Sequence, residues 1–516
     1  MALRDSLLNP NDFTITWELV PGRGVWEKNQ EKIFADAALA AKDPRIHGVS
    51  ITDNPGGSPA MAADYFGTEL IRLGVNPIVH FTCKDKNRNQ IEGDLYALAR
   101  AGVTDLLVMS GDYPVTGYGG GPKPVFDLDP IHALELIKEL NQGMVISTGR
   151  GQAQLAPTAF FPGAVVSPFK VLEGEVLTQY YKLAKKVAAG AQFIVTQLGY
   201  DARKFHELLL FVQRAGWQVP LIGNIYVLTY GVAKLMHSQQ LPGCVVTDEL
   251  LARLAVERED SDKGLGARIL RAAKMYALLK GMGYAGVHLG GPGLKYEHVV
   301  EIIERGEELL PNWPRYVKQI NYAPANTFYY FQSDPQRGLN TEELNPRGPA
   351  PNSRLDNRFF RLLHRTLFEE RGIFYGTMAT FSQLVDEVGL EKPVAALEHG
   401  IKKLTNDCQQ CGDCALVELA YYCPMSQCPK NQRNGPCGGS RDGWCEVYLG
   451  ERRCLYVRAY ERLKPYGEEA ALATTVMPPC NWALRRSSSW VNYYLGRDHV
   501  PQNKRVRALG SRERPD

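Results

Sequence analysis

Residues 13–19, Phe-Thr-Ile-Thr-Trp-Glu-Leu, alternate apolar and polar side chains without a break. A period of two belongs to a strand whose two faces meet different surroundings. Phe13, Ile15 and Trp17 are expected to pack on helices, with Glu18 turned the other way, near the end of the strand. Pro21-Gly22 makes a turn, a helical pattern runs to about residue 41, and a short apolar strand, GVSITD, follows at 48–53. The unit then recurs. Further strands are NPIVHFTC (76–83), DLLVMSGD (105–112), TAFFPGAVV (158–166), QFIVTQL (192–198), VPLIGNI (219–225) and AGVHLGG (285–291). Helical segments such as DLYALARAG, PIHALELIKEL and DARKFHELLLFVQRAG separate most of them. Strands alternating with helices over this length predict a parallel β/α architecture, and the count of eight closes a (β/α)8 TIM barrel. The alternative, a doubly wound open sheet, lacks a G-x-G-x-x-G after the first strand.

The chain has 59 basic and 56 acidic residues, a near balance that gives no reason to expect a nucleic-acid partner. Its first residues, MALRDSLLNPND, do not read as a signal peptide, and no window approaches a membrane span. A cytoplasmic protein is expected, in which thiols stay reduced and a cysteine cluster means metal.

In a TIM barrel the chemistry sits at the C-terminal ends of the strands. Glu18, His80, Asp112 and Gln197 all fall at or just beyond strand ends. A lone strand histidine is more often a satisfied core residue, and an aspartate before Tyr-Pro more often a turn residue. An amide in an apolar strand end, as at Gln197, needs buried partners. The set gathers several polar groups at one face.

The segments FTITWELVPGRG, ITDNPGGS, VHFTCKD, LVMSGDYP, FFPGAVVSPF and KLAKKVAAGAQFIVTQLGYD occur in that order. Over about residues 10–300 they resemble the flavin-dependent methylenetetrahydrofolate reductases. The resemblance implies a flavin across the C-terminal mouth of the barrel, FAD with FMN as the alternative. It gives Glu18 the place of a general acid, Asp112 that of a carboxylate near flavin and pterin, and Gln197 that of a pterin-holding amide. Thr52, His80, Ser110, Gly111, Asp112 and Lys186 take flavin-contacting places, with Lys186 suited to the flavin phosphate. Ser110 stands where the family often has arginine, Asp53 where an aromatic or small residue is frequent, and GMVISTGRGQAQLAP reads as an insertion. Protonation of a departing folate nitrogen asks for a carboxylic acid, so Glu18 is expected to have a raised pKa.

From about 310 to 355 the composition turns to Pro, Asn, Gly and Tyr and reads as a connection. Helical patterns follow at about 355–370 and 392–405, with Phe359, Leu362, Leu363 and Leu367 expected as core packing. Eight of the chain's eleven cysteines then fall together: Cys408, Cys411, Cys414, Cys423, Cys428, Cys437, Cys445 and Cys454. The C-x2-C-x2-C run and the two Cys-Pro pairs favour two four-cysteine 4Fe–4S clusters, and two zinc sites match the same count. Spacing does not say which four belong together. Cys83, Cys244 and Cys480 are expected to be structural. The stretch also resembles the C-terminal domain of the iron–sulfur partner subunit of acetogen-type methylenetetrahydrofolate reductases, here fused behind the reductase.

The expected division is a barrel at 1–310, a connection at 311–355, a mainly helical, cysteine-rich metal-binding domain at 356–464, and an extension with a basic tail at 465–516. The implied activity is reduction of 5,10-methylenetetrahydrofolate to 5-methyltetrahydrofolate. NAD(P)H or a ferredoxin-like protein would supply electrons, and the barrel would self-associate into a homo-oligomer. Two alternatives stand: oxidation of methyltetrahydrofolate, and a non-catalytic folate-binding or docking protein with structural zinc.

Overall fold

The computed structural model describes residues 3–500. Eight parallel strands close a barrel in sequence order. They are β1 (Thr14–Leu19), β2 (Gly48–Ile51), β3 (Pro77–Thr82), β4 (Asp105–Met109), β5 (Phe161–Val166), β6 (Phe193–Thr196), β7 (Leu221–Tyr226) and β8 (Gly286–Gly290). The seam joins β8 to β1, pairing Thr16 with His288 and Trp17 with Leu289. The TIM barrel expected from the alternating pattern is therefore the observed fold.

The period of two in β1 sorts its side chains as expected. Ile15, Trp17 and Leu19 are buried in the layer between strands and helices. Thr14 and Thr16 face inward, where Thr14 meets Ser6 at 2.8 Å and Thr16 meets the His288 Nδ1 at 2.8 Å. The helix Leu3–Leu8 closes the opposite end, seating Leu3 and Leu7 on Ile78, Leu107, Phe161, Phe193, Val195 and Ile222. That largely apolar floor directs attention to the other mouth, where chemistry is placed in this fold.

The insertion-like stretch is an exposed hairpin, Val145–Thr148 against Gly151–Gln154. The Pro-rich connection holds closely to the barrel. Its hairpin, Phe331–Asp334 and Leu339–Leu344, is tied to the helix Ala202–Arg214 by Arg203 donating to the Asn340 Oδ1 at 2.6 Å. Three helices follow, Leu355–Leu367, Tyr375–Glu387 and Glu391–Asn406, then a cysteine-rich coil and the helix Leu455–Leu463. That last helix packs on the barrel helix Glu173–Ala188, where Tyr460 and Lys464 both reach Glu173.

The apolar stripe of the helix Leu355–Leu367 corrects the sequence reading. Phe359 is 60% exposed and Leu362 62%. Phe359 and Leu363, with Phe360, Phe368 and Tyr421, line an open cavity of about 1250 Å³ instead of a core. Periodicity identified the apolar face, but among the described residues no element covers it. Most of the basic tail lies beyond residue 500, outside the described residues.

Candidate active site and cysteine centres

Glu18 ends β1 with its side chain turned into the mouth, its Oε2 3.8 Å from the His288 Nε2. His288 is steered from both sides, by Thr16 at Nδ1 and by Ser50 3.4 Å from Nε2. His80, from β3, completes a trio whose ligand atoms all lie within 4.8 Å of one another. The expected rise in the Glu18 pKa is not found. Burial pushes the carboxyl up, but the hydrogen bond and charge of His288, with a smaller contribution from His80, hold it below the ordinary range. Burial holds His80 down at about 4, so its ring is neutral near pH 7. His288 escaped the sequence reading. Its signal was a histidine at an inward position of the last strand, as weak as that of His80.

Asp112 lies in the loop after β4, and its Oδ2 accepts from the Gly56 N–H at 2.7 Å. This loop clasps the Asn54–Gly57 turn after β2. A Cβ on Gly57, whose φ is +73°, would sit 2.0 Å from the Tyr113 carbonyl oxygen, so only glycine allows the approach. Gln197 follows β6, and its Oε1 accepts from the Leu198 N–H at 2.8 Å, which leaves its amide N–H2 to donate elsewhere. The buried Thr52 Oγ1, His80 Nε2 and Asn224 Oδ1 have no partner among the described residues. Buried polar atoms are rarely left so, and several at one mouth suit a polar heterocycle or ordered water bound there.

The positions expected to hold the rest of a flavin are engaged by the cysteine-rich coil. Ser110 donates to the Gln432 Oε1 at 2.9 Å, and Lys182 donates to the same oxygen at 2.8 Å and to the Gly435 carbonyl at 3.0 Å. Lys430 donates to the Gly111 carbonyl at 2.8 Å and pairs with Glu446. Lys186 donates to the Val165 carbonyl, and burial brings its pKa down to about 7. Asp129 anchors the coil: its Oδ1 caps the helix Pro130–Gln142, and its Oδ2 accepts from the Asn434 N–H at 2.8 Å. Gln432, Gly435 and Lys430 were not legible as site residues, because nothing in their spacing places them against a barrel hundreds of residues upstream.

The cysteines separate into two groups. Cys408, Cys411, Cys414 and Cys423 surround a small cavity of about 30 Å³. Cys428, Cys437, Cys445 and Cys454 lie close enough to influence one another's charge. Cys480, expected to be merely structural, packs in a buried cluster with Cys411, Met425 and Cys423. Cys83 and Cys244 are buried in the barrel core. Among the described residues no three cysteine sulfurs lie mutually within 4.8 Å. Four thiolates on one zinc ion, with Zn–S bonds of ~2.3 Å, would stand about 3.8 Å apart. The second group borders the mouth. A Cβ on Gly243 would lie 3.5 Å from the Gln197 Nε2 and 3.8 Å from the carbonyl oxygen of Gly438, the neighbour of Cys437.

Known proteins resemble both halves. The family described as methylenetetrahydrofolate reductase matches residues 3–305, and that described as methylene-tetrahydrofolate reductase C terminal matches residues 388–483. The chain is 28% identical over 221 residues to methylenetetrahydrofolate reductase 2 of Schizosaccharomyces pombe, covering 41% of this chain and 33% of the relative. It is 27% identical over 194 residues to methylenetetrahydrofolate reductase 2 of Saccharomyces cerevisiae, covering 37% and 30%. The match thus spans about a third of these relatives' length. One solved structure is an uncharacterized Clostridium thermocellum protein described as binding two copies of 5-methyl-5,6,7,8-tetrahydrofolic acid. It is 13% identical with a TM-score of 0.43, covering 60% of this chain and 99% of that one. Another is a putative deoxyribose-phosphate aldolase from Toxoplasma gondii ME49, 12% identical with a TM-score of 0.29, covering 59% and 96%. With its whole barrel matched across residues 3–305, more than half its length, this chain belongs to the methylenetetrahydrofolate reductase family.

Proposed function

We propose that this protein is a flavoenzyme that reduces 5,10-methylenetetrahydrofolate to 5-methyltetrahydrofolate, with metal centres in its C-terminal half. The observation that carries the reading is the Glu18–His288 pair at the β1–β8 seam, in a chain of this family. Opening the methylene bridge requires a proton on the departing nitrogen. Glu18, 3.8 Å from His288, is placed to supply that proton. Thr16 and Ser50 hold the His288 ring in place beside it. The free Gln197 amide is available to orient the pterin, and the Asp112 carboxylate favours cationic character in the opened substrate.

Thr52 and His80, each with an unpartnered buried polar atom, fit the ring of a flavin. The reduced flavin, when bound, supplies the hydride. Gln432 and Lys430 already engage Ser110 and Gly111, which favours the shorter FMN over FAD. Cys408, Cys411, Cys414 and Cys423 would hold one 4Fe–4S cluster, and Cys428, Cys437, Cys445 and Cys454 a second. The C-x2-C-x2-C run and the two Cys-Pro pairs favour clusters over single zinc ions. Such clusters supply single electrons, and the second group's place at the mouth suits a ferredoxin-like donor. This matches the resemblance to the acetogen-type iron–sulfur partner subunit.

The test is anaerobic purification, followed by flavin identification, iron and zinc analysis, and stopped-flow reoxidation of the reduced protein by methylenetetrahydrofolate. FMN, about eight irons per chain and substrate-dependent reoxidation are expected. A protein without flavin that turns over no folate would overturn the reading.

A further inference from the structure

A second cavity lies wholly in the C-terminal half, with a volume of about 530 Å³. Its wall carries Arg354, Arg452, Arg453, Arg458 and Arg462 against two carboxylates, Glu451 and Glu461. Glu461 is already spent on Arg453, which grips it through both oxygens at 2.8 and 2.9 Å. Arg452 and Arg458 make no ion pair among the described residues. Each is instead fixed by a neutral acceptor: Arg452 donates to the Ser426 carbonyl at 3.3 Å, and Arg458 to the Gln427 Oε1 at 2.9 Å. Arg458 and Arg462 also stack on Tyr422, their guanidinium carbons 3.9 and 3.8 Å from the ring centre. Arg462 is 8% exposed; it pairs with Asp356 and donates to the Ala420 carbonyl at 3.0 Å, while its Nε has no partner among the described residues.

Asp356 pairs with Arg462 and Arg354, and Glu461 with Arg453, which leaves Arg452 and Arg458 as positive charge in excess that an anion would offset. The Arg452 and Arg458 forks each spend one N–H on a neutral acceptor, and their remaining donors suit the oxygens of phosphate more than a single carboxylate. The half-buried indole of Trp444 on the same wall offers a flat face for a base. The cavity also has the size of small-ligand sites. We infer that this cavity binds the diphosphate of a nucleotide, with Arg452 and Arg458 on the phosphates and Trp444 against the base. None of its walls belongs to the barrel, so it is a separate site from the one holding Glu18.

Titration calorimetry on the full-length holoprotein tests this with sodium pyrophosphate, ADP and NADPH as probes. Saturable binding that weakens with added salt is expected, with ADP tighter than pyrophosphate because of the indole. The double variant R452Q/R458Q should weaken it by about tenfold or more, as lost charged hydrogen bonds do. If that variant melts early, the single variant R452Q replaces it, since among the described residues Arg452 is held only by the Ser426 carbonyl and the Tyr448 ring. NADPH tighter than ADP by about tenfold assigns the site to a reductant, and equal affinities assign it to adenine nucleotides generally. Absence of saturable binding by all three probes, binding unchanged in the folded variants, or ADP binding no tighter than pyrophosphate would each overturn the inference.

Discussion

Glu18 and His288 meet across the barrel seam, and each sets what the other can do. Replacing Glu18 with Gln keeps the shape and removes the proton. Folate-dependent reoxidation should slow by about 10²- to 10⁴-fold, while folate binding, followed by equilibrium titration, changes little. A second expectation comes from the partner. His288 lowers the Glu18 pKa against the upward push of burial. In His288→Asn the push remains and the counterweight is gone, so the Glu18 pKa rises. The protonated carboxyl then persists to higher pH, and the alkaline limb of the rate profile moves upward. An unmoved limb would show that Glu18 does not titrate in the reaction. Glu18 was legible in the sequence because the alternation in β1 gives its direction. His288 was not, since its partners Thr16 and Ser50 lie 272 and 238 residues away, and only closure of the barrel brings them together.

At the scale of elements, periodicity located the strands well because each has the same apolar surroundings, strand beside strand and helix outside. It misjudged the helix Leu355–Leu367 for the opposite reason. An apolar stripe reports which face avoids water, not whether the chain supplies a cover. Replacing Leu362, 62% exposed, with Gln should therefore shift the urea midpoint by no more than about 0.5 kcal/mol in stability. Leu279→Ala, at a position 1% exposed beneath β7, should cost about 2–5 kcal/mol. A large loss from Leu362→Gln would restore the core reading. The segment after the helix Ser489–Tyr494 is tied in by charge as well. His499 lies beside Asp413 and Glu418, and although burial pushes its pKa down, their hydrogen bonds and charges bring it up to about 10. A raised folded pKa stabilises fully below the ordinary imidazole value of about 6.5, and the gain fades as pH climbs through about 10. Melting temperatures should fall across that window in the native chain, and the variant His499→Asn should lack this part of the fall.

For the whole molecule, the spacing of the cysteines points to a metal-binding segment, as proposed above, but not to its grouping, because ligands are chosen in three dimensions. The fold supplies the division: Cys408, Cys411, Cys414 and Cys423 about one cavity, and Cys428, Cys437, Cys445 and Cys454 together at the barrel mouth. A centre that needs four thiolates is lost once any one of them is removed, and removing a second from the same centre costs nothing more. Metal content therefore reads the grouping directly. Cys414→Ser and Cys437→Ser should each leave about half the metal of the native chain. Cys428→Ser with Cys437→Ser should leave that same half, whereas Cys414→Ser with Cys437→Ser should leave almost none. The two centres also differ in what surrounds them. Lys430, Gln432 and Gly435 of the second bind barrel residues, so its loss should loosen the contacts to Ser110, Gly111 and Lys182. Flavin retention after gel filtration should then fall in Cys437→Ser and hold in Cys414→Ser. Equal retention in both would mean that the coil is held at the mouth by Asp129 and the lysines alone, with the metal playing no part in shaping the site.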